Sequence, residues 1–195
     1  MRIKENFNKD KVFFTSDTHF YHKNIIEFCN RPFQDEFYMN ESLINNWNKV
    51  VPKDGIVFHA GDFAMTGRID YIKELVSKLN GKIYLTLGNH CYQNRFDRQV
   101  IREIFHQTDD IFYFTIQDEE LEGGRANFQI CHYPLMFWKR GAFMLHGHVH
   151  SGPFSTANEK VPFHAMRYDI GVDNNDFTPI SYHKLKVILT KNSMK

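Results

Sequence analysis

The sequence predicts an α/β protein of four layers, two mixed β-sheets packed face to face with helices outside. Two observations carry this. Short apolar runs of strand length recur along the chain, and nearly all of them end in polar side chains. Helical patterns alternate with these runs in the first half, whereas strands predominate in the second. The 195 residues suit one domain spanning 1–195, since no repeat, low-complexity tract or linker divides them. A chain of this size buries on the order of 70% of its unfolded surface and folds without covalent staples.

Val12-Phe13-Phe14-Thr15-Ser16 is β-branched and aromatic, the composition of a buried strand, and runs into Asp17-Thr18-His19. Ile56 to His59 forms a second strand before Ala60-Gly61-Asp62, and Ile83 to Leu87 a third before Gly88-Asn89-His90. Phe128 to Cys131 and Ala142 to Leu145 follow, ending in His132-Tyr133-Pro134 and His146-Gly147-His148-Val149-His150. A last strand, without a polar tip, is expected over Leu185 to Leu189. Between the early strands, Asn40 can cap a helix whose Leu43, Ile44 and Trp47 share a face before Pro52 ends it. Ile69, Ile72, Leu75, Val76 and Leu79 repeat at helical spacing, with Asn80-Gly81 as the stop, and that face is expected to be core. Segment 151–168 reads as a long surface loop or ragged hairpin.

Composition narrows the function. Lys plus Arg number 24 against 23 Asp plus Glu, a net charge of +1, and no basic run exceeds Lys139-Arg140. That argues against a dedicated nucleic-acid surface. No apolar stretch approaches the roughly 18 residues of a membrane span. The N-terminus, Met1 to Lys11, is polar and lacks the apolar segment of a secretory signal. Three scattered cysteines (Cys29, Cys91, Cys131) provide neither a zinc knuckle nor a disulfide framework, which points to the reducing cytoplasm. The eleven histidines stand out.

Carboxylate, amide and imidazole groups at strand ends suit divalent metals, and strand ends of α/β sheets are where ligands bind. Chance alone supplies about 0.6 His-x-His triplets in such a chain, so His148-Val149-His150 by itself means little. The order is informative: Asp-x-His, Gly-Asp, Gly-Asn-His, a strand-end His, then Gly-His-x-His, each after an expected strand.

In that order the chain resembles the calcineurin-like metallophosphoesterase superfamily, through Asp17-Thr18-His19, Gly61-Asp62, Gly88-Asn89-His90, His132 and Gly147-His148-Val149-His150. It is similar more narrowly to small single-domain bacterial and phage phosphoesterases, through Ser16 to Phe20, His22 to Ile26, Asn30-Arg31-Pro32-Phe33, His132-Tyr133-Pro134 and Asp169 to Asp173. The resemblance implies the four-layer metallophosphoesterase fold and a dinuclear site. Asp17, His19, Asp62 and His150 would bind one metal, and Asp62 would bridge to a second held by Asn89, His132 and His148. Two cations about 3.5–4 Å apart need an anionic bridge, and a solvent hydroxide between them would attack phosphorus. Mn²⁺ leads among the metals, with Fe, Zn, Co or Ni as alternatives, because mixed N/O ligands discriminate poorly.

The resemblance keeps His90 off the metals and assigns it to protonating the leaving oxygen or stabilising the transition state, a role whose loss costs on the order of 10²–10⁴ in rate. Most relatives have Asp after Gly-Asn-His, where it orients that histidine. Here the residue is Cys91. Either another acid takes over, with Asp173 as a candidate, or the histidine relies on backbone, or general-acid catalysis is weakened; the bland reading of Cys91 is a small buried filler. If that orientation is missing, Cys91→Asp should raise activity on substrates with poor leaving groups.

Outside the motifs, structural roles are expected. His59 reads as a hydrogen-bonded core histidine, His146 as a packed strand end, and His106, His164 and His183 as solvated. His22 is a candidate substrate contact, Arg31 a weaker one, and Trp138 and Arg140 belong either to the site rim or to packing. The expected activity is metal-dependent hydrolysis of a phosphodiester or phosphomonoester, with a small nucleotide-like substrate. The rivals are a protein phosphatase, usually longer, and a non-catalytic scaffold such as the retromer subunit of this fold, which lacks the catalytic histidine. Protein partners are left open.

Overall fold

The computed structural model describes residues 1–93, 98–153 and 163–193. In chain order it holds β1 (Val12–Thr15), α1 (Lys23–Phe28), α2 (Glu36–Val50), β2 (Ile56–His59), α3 (Ile69–Lys78), β3 (Lys82–Thr86), α4 (Asn89–Gln93), α5 (Arg98–Ile104), β4 (Gln107–Asp109), β5 (Ile111–Gln117), β6 (Arg125–Cys131), β7 (Phe143–His146), β8 (Arg167–Asp169), β9 (Ile180–Ser181) and α6 (Tyr182–Ser193). The strands form two mixed sheets, a five-stranded one in the order β4-β3-β2-β1-β9 and a four-stranded one in the order β5-β6-β7-β8. Strands β1 to β4 run parallel, with β9 antiparallel at the edge. In the second sheet β5 pairs antiparallel with β6, and β6, β7 and β8 are parallel.

The first sheet is covered on both faces, which is why its strands read as near-continuous apolar runs. Val12, Phe14, Phe58 and Tyr84 face the second sheet, where they meet Phe112, Phe114, Phe128 and Ile130. Phenylalanines dominate this contact, with Phe58 stacked on Phe114 at 4.0 Å between centroids. The alternate residues Phe13, Val57, Ile83 and Leu85 pack against Met39, Leu43 and Trp47 of α2, Ile72 and Leu75 of α3, and Ile101 of α5. The first sheet thus separates an aromatic inter-sheet core from a helix-facing one.

Five expected strands form as β1, β2, β3, β6 and β7, and the expected 69–79 helix as α3. Gly81 ends the turn after α3 at φ +88°, where a Cβ would meet the Gly55 carbonyl oxygen at 2.9 Å. Helix α2 begins five residues before its expected start. Its cap is Asp35, which accepts from the Tyr38 N–H, while the Asn40 side chain accepts from the Tyr21 N–H.

The expected strand over Leu185 to Leu189 is instead part of α6. Tyr182, Leu185 and Leu189 share one buried helical face that closes the inter-sheet core beside β9, and Val187 points outward. The Val-Ile pair suggests a strand, but the spacing of buried residues is helical and packing decides the outcome. The 151–168 segment ends not as a loop but in β8, whose Asp169 pairs with His146; its residues 154–162 lie outside the described ones. No helix among the described residues is long and apolar enough to cross a membrane.

Candidate metal centre

The loops after β1, β2, β3, β6 and β7 leave the C-terminal ends of parallel strands and meet at one edge of the sandwich. The Asp17 and His19 N–H groups donate to the carbonyls of Gly61 and Asp62, and the Gly147 N–H donates to the His132 carbonyl. Asp17, His19, Asp62, His148 and His150 all have positive φ, between 47° and 72°. Each such residue costs about 1 kcal/mol or more, and clusters of them mark sites where side-chain placement overrides backbone preference. The approach is tight enough to demand glycine. A Cβ on Gly88 would lie 2.2 Å from Asp62 Oδ1, and one on Gly147 would lie 2.1 Å from Asp17 Oδ2.

All seven residues that the sequence singles out as ligands lie in this cluster. Asp62 is central: its Oδ1 accepts from the His90 N–H at 2.9 Å, and its Oδ2 faces His132 Nε2 at 3.3 Å, His19 Nε2 at 3.7 Å and His90 Nε2 at 4.0 Å. Asn89 Oδ1 lies 2.9 Å from His132 Nε2 and 3.1 Å from His148 Nδ1. Ligand atoms of Asp17, His19 and His150 fall within 4.8 Å of one another, as do those of Asp17, Asp62 and His132. Asp17, His19, Asp62, His132 and His150 are buried, while Asn89 and His148 are partly exposed.

The remaining imidazole nitrogens are held from behind. His132 Nδ1–H donates to the Ala60 carbonyl at 2.9 Å, His150 Nδ1 bonds Asp173 at 2.7 Å, and His19 Nδ1 lies 3.0 Å from His22 Nδ1. Such second contacts orient histidine ligands. His19 Nε2, buried and aimed at Asp62, has no hydrogen-bond partner. A buried, unsatisfied imidazole nitrogen among carboxylates is what a cation would complete, so the donor set fits divalent metals.

Burial pushes the Asp17 carboxyl up to about 6, against the pull of His150 and His132. Burial lowers His19, helped by neighbouring His150 and Arg31, and brings His22 down to about 4, helped by His90 and Arg31. Both imidazoles are thereby kept neutral, the state that can ligate. For His150 burial opposes protonation, yet the bonds to Asp173 and Cys29 and the charges of Asp17 and Asp173 together outweigh burial and raise its pKa to about 11.

His90 sits beside the cluster, with its ring 5.1 Å from that of His19 and 5.6 Å from that of His22. His59 is a core histidine, as expected. Thr18 Oγ1 donates to the Phe63 carbonyl and so accepts from His59 Nε2–H, while His59 Nδ1 accepts from the Gly61 N–H. Burial lowers its pKa to about 3, so a neutral imidazole ties the two ligand loops together.

Two expectations are corrected. Arg31 is not poised for phosphate, because its buried guanidinium is taken up by Asp173 and the carbonyls of Asp17 and Thr18. Asp173 does not stand in for the missing acid beside His90, because both its oxygens are committed to Arg31 and His150. Cys91 lines a small apolar cavity of about 20 Å³ with Phe63, Ile72, Leu85 and Phe105, the filler reading of that position. Trp138 packs on His164 and donates to the Ala142 carbonyl, and with Arg140 it borders a separate groove. The sequence reading misses Cys29, which lies within 4.8 Å of His150 and Asp173; nothing local to it signals that contact.

The family model for calcineurin-like phosphoesterases matches residues 10–173. The chain belongs to that family. Its members hydrolyse phosphoesters with divalent metals, and the matched region contains all five strand-end motifs. Among similar proteins, the chain is 46% identical over 81 residues to the Uncharacterized protein MJ1445 of Methanocaldococcus jannaschii, covering 41% of this chain and 46% of that one. The chain therefore spans less than half the length of that relative. It is 24% identical over 183 residues to the Gene 66 protein of Mycobacterium phage L5, covering 83% of this chain and 86% of that one. Among solved structures, the chain is similar to the protein of unknown function AQ665 from Aquifex aeolicus, with TM-score 0.63 and 25% identity, covering 91% of this chain and 98% of that one.

Proposed function

We propose that the chain is a dinuclear phosphoesterase acting on a small phosphodiester or phosphomonoester. The observation that carries this reading is Asp62 Oδ2, shared among three Nε2 atoms within 4.0 Å, one of them the unpartnered His19 Nε2. Asp17, His19, Asp62 and His150 would hold one divalent cation, and Asp62, Asn89, His132 and His148 a second, with Mn²⁺ the leading candidate. Such ions supply an activated water and offset charge on the phosphoryl oxygens. The protein's own groups do the rest. His90, partly exposed beside Asp62, donates a proton to the leaving oxygen. His22, with Nδ1 engaged by His19, presents its other nitrogen to a phosphoryl oxygen. The near-neutral net charge favours a small substrate over a long polyanion. Three free cysteines suit a cytoplasmic location.

Metal content after Mn²⁺ loading, together with rates on bis(p-nitrophenyl) phosphate, p-nitrophenyl phosphate, cyclic nucleotides and single-stranded DNA, tests the reading. Two ions per chain and turnover of a small ester are expected. His90→Ala should keep both ions and lose about 10²–10⁴ in kcat. Fewer than about one ion per chain would favour the scaffold, and metal loss in His90→Ala would make His90 a ligand.

A further inference from the structure

Behind the cluster lies a buried ion pair that the chemistry above does not use. Arg31 sits in the turn between α1 and α2, and Asp173 in the 3₁₀ turn Val172–Asn174 after β8, so 142 residues separate them. Their side chains are 0% and 3% exposed. Arg31 Nε and Nη2 meet the two oxygens of Asp173 at 2.8 and 2.9 Å, a bidentate fork. Nη2 also donates to the Asp17 carbonyl at 2.7 Å, and Nη1 to the Thr18 carbonyl at 3.1 Å. The Asp173 oxygen that meets Nη2 is also the partner of His150 Nδ1.

One guanidinium therefore holds the strained Asp17-Thr18-His19 loop directly and His150 through one carboxylate. Asn89, His132 and His148 receive no hydrogen bond from this pair; they bond one another and the Ala60 carbonyl, and their link to the first half is the His148 N–H on the Asp17 carboxylate together with the shared Asp62. Apart from a contact of Nη1 with Met39 Sδ at 3.6 Å, the donors of this buried charge pair are directed at one half of the cluster, an arrangement that does more than stabilise the fold, for which an apolar pair would serve as well. Resting on the dinuclear reading above, we propose that Arg31 and Asp173 are positioning residues for one half of the centre, setting the affinity of the cation held by Asp17, His19 and His150 and not of the one held by Asn89, His132 and His148.

Asp173 accomplishes this by holding the proton of His150 on Nδ1, which leaves Nε2 as the ligating atom. An Asn at 173 has one acceptor oxygen and one NH₂ group. Arg31 offers only donors, so in either orientation the amide faces a donor–donor contact or loses its hold on His150. A lysine at 31 keeps the charge but not the fork.

The test measures Mn²⁺ affinity by calorimetry, with the EPR signal of bound Mn²⁺ as a second readout, in two full-length backgrounds. His148→Ala leaves the first half to be read alone, and His150→Ala the second. Arg31→Met, Arg31→Lys and Asp173→Asn should each weaken Mn²⁺ about 10–100-fold in the His148→Ala background, the usual loss when a partner behind a metal ligand is removed. In the His150→Ala background the change should stay under about threefold. Equal losses in both backgrounds, or none in either, overturn the proposal. Circular dichroism checks folding, and the near-isosteric Asp173→Asn decides the matter if Arg31→Met does not fold. Backgrounds that bind no Mn²⁺ before any change at 31 or 173 overturn the dinuclear reading itself, and this proposal with it.

Discussion

Gly147→Ala is the sharpest perturbation of the centre that leaves every proposed ligand in place. The new Cβ would lie 2.0 Å from Ser16 Oγ, 2.1 Å from Asp17 Oδ2 and 2.7 Å from Ser16 Cβ. Non-bonded heavy atoms settle near 3.5 Å, so the Asp17 carboxylate or the Gly147 backbone must retreat by about 1 Å. Asp17 has nowhere cheap to go. It is fully buried, and both its oxygens accept from the His148 N–H, at 3.1 and 3.0 Å. Retreat breaks that contact and moves Asp17 away from His19 and His132, each 4.0 Å from its Oδ1. Overpacking of this kind costs about 1–3 kcal/mol. A 195-residue chain loses about 2–4 °C in Tm per kcal/mol. A displacement near 1 Å at the reacting geometry costs on the order of 10² in rate. The assay pairs thermal unfolding with kcat/KM in Mn²⁺. Gly67→Ala is the control, because a Cβ there meets nothing within 4 Å. A Gly147→Ala protein with unchanged Tm and kcat/KM within twofold of the parent would refute the close-approach argument.

Two further outcomes follow from the same packing. Cys91→Asp should not raise activity on poor leaving groups. Burial already pushes the Cys91 thiol up, and a carboxylate placed among Phe63, Leu85 and Phe105 should cost about 2–3 kcal/mol in urea unfolding; higher turnover at unchanged stability would show that the side chain reaches His90 instead. Asp118 has a fully buried carboxylate bonded to Lys9 and Lys186 at 2.8 Å and to Tyr182 at 2.7 Å. Burial alone would raise its pKa, but Lys186, Lys9 and Tyr182 outweigh burial and hold it below the ordinary range. A depressed carboxyl pKa contributes stability above the unfolded value near 4, and that contribution is lost as pH falls through the folded value. Asp118→Asn should therefore cost about 2 kcal/mol at pH 7, with the gap to the parent closing below about pH 4; a gap constant from pH 3 to 8 would show that the charge contributes nothing.

The strand-end motifs were legible in the sequence because strand and ligand are covalent neighbours. A β-branched run fixes where the chain leaves the sheet, and the next few residues are delivered there whatever the rest of the fold does. The strand over 111–117 was not among the expected ones; β5 buries Phe112, Phe114 and Ile116 at a spacing of two, and its intervening Tyr113 and Thr115 are only half-buried. Other features depend on partners remote in sequence. The Leu185 to Leu189 run suits a strand locally and became helical because its 182, 185 and 189 positions meet the inter-sheet core. Cys91 follows the motif in sequence, but its side chain belongs to a cavity built by β3, α3 and α5.

By itself, then, the sequence determined the two-sheet α/β class, the order of the strand-end motifs and the kind of chemistry they suit. Periodicity and residue type act over a few neighbouring positions, and that was enough. The tertiary structure alone decided that Arg31 faces Asp173 rather than a phosphate, that Asp173 holds His150 rather than His90, and that five site residues take positive φ. Those choices are made by groups up to 142 residues apart that compete for the same buried hydrogen bonds. Such a competition is settled only when the chain has closed around it.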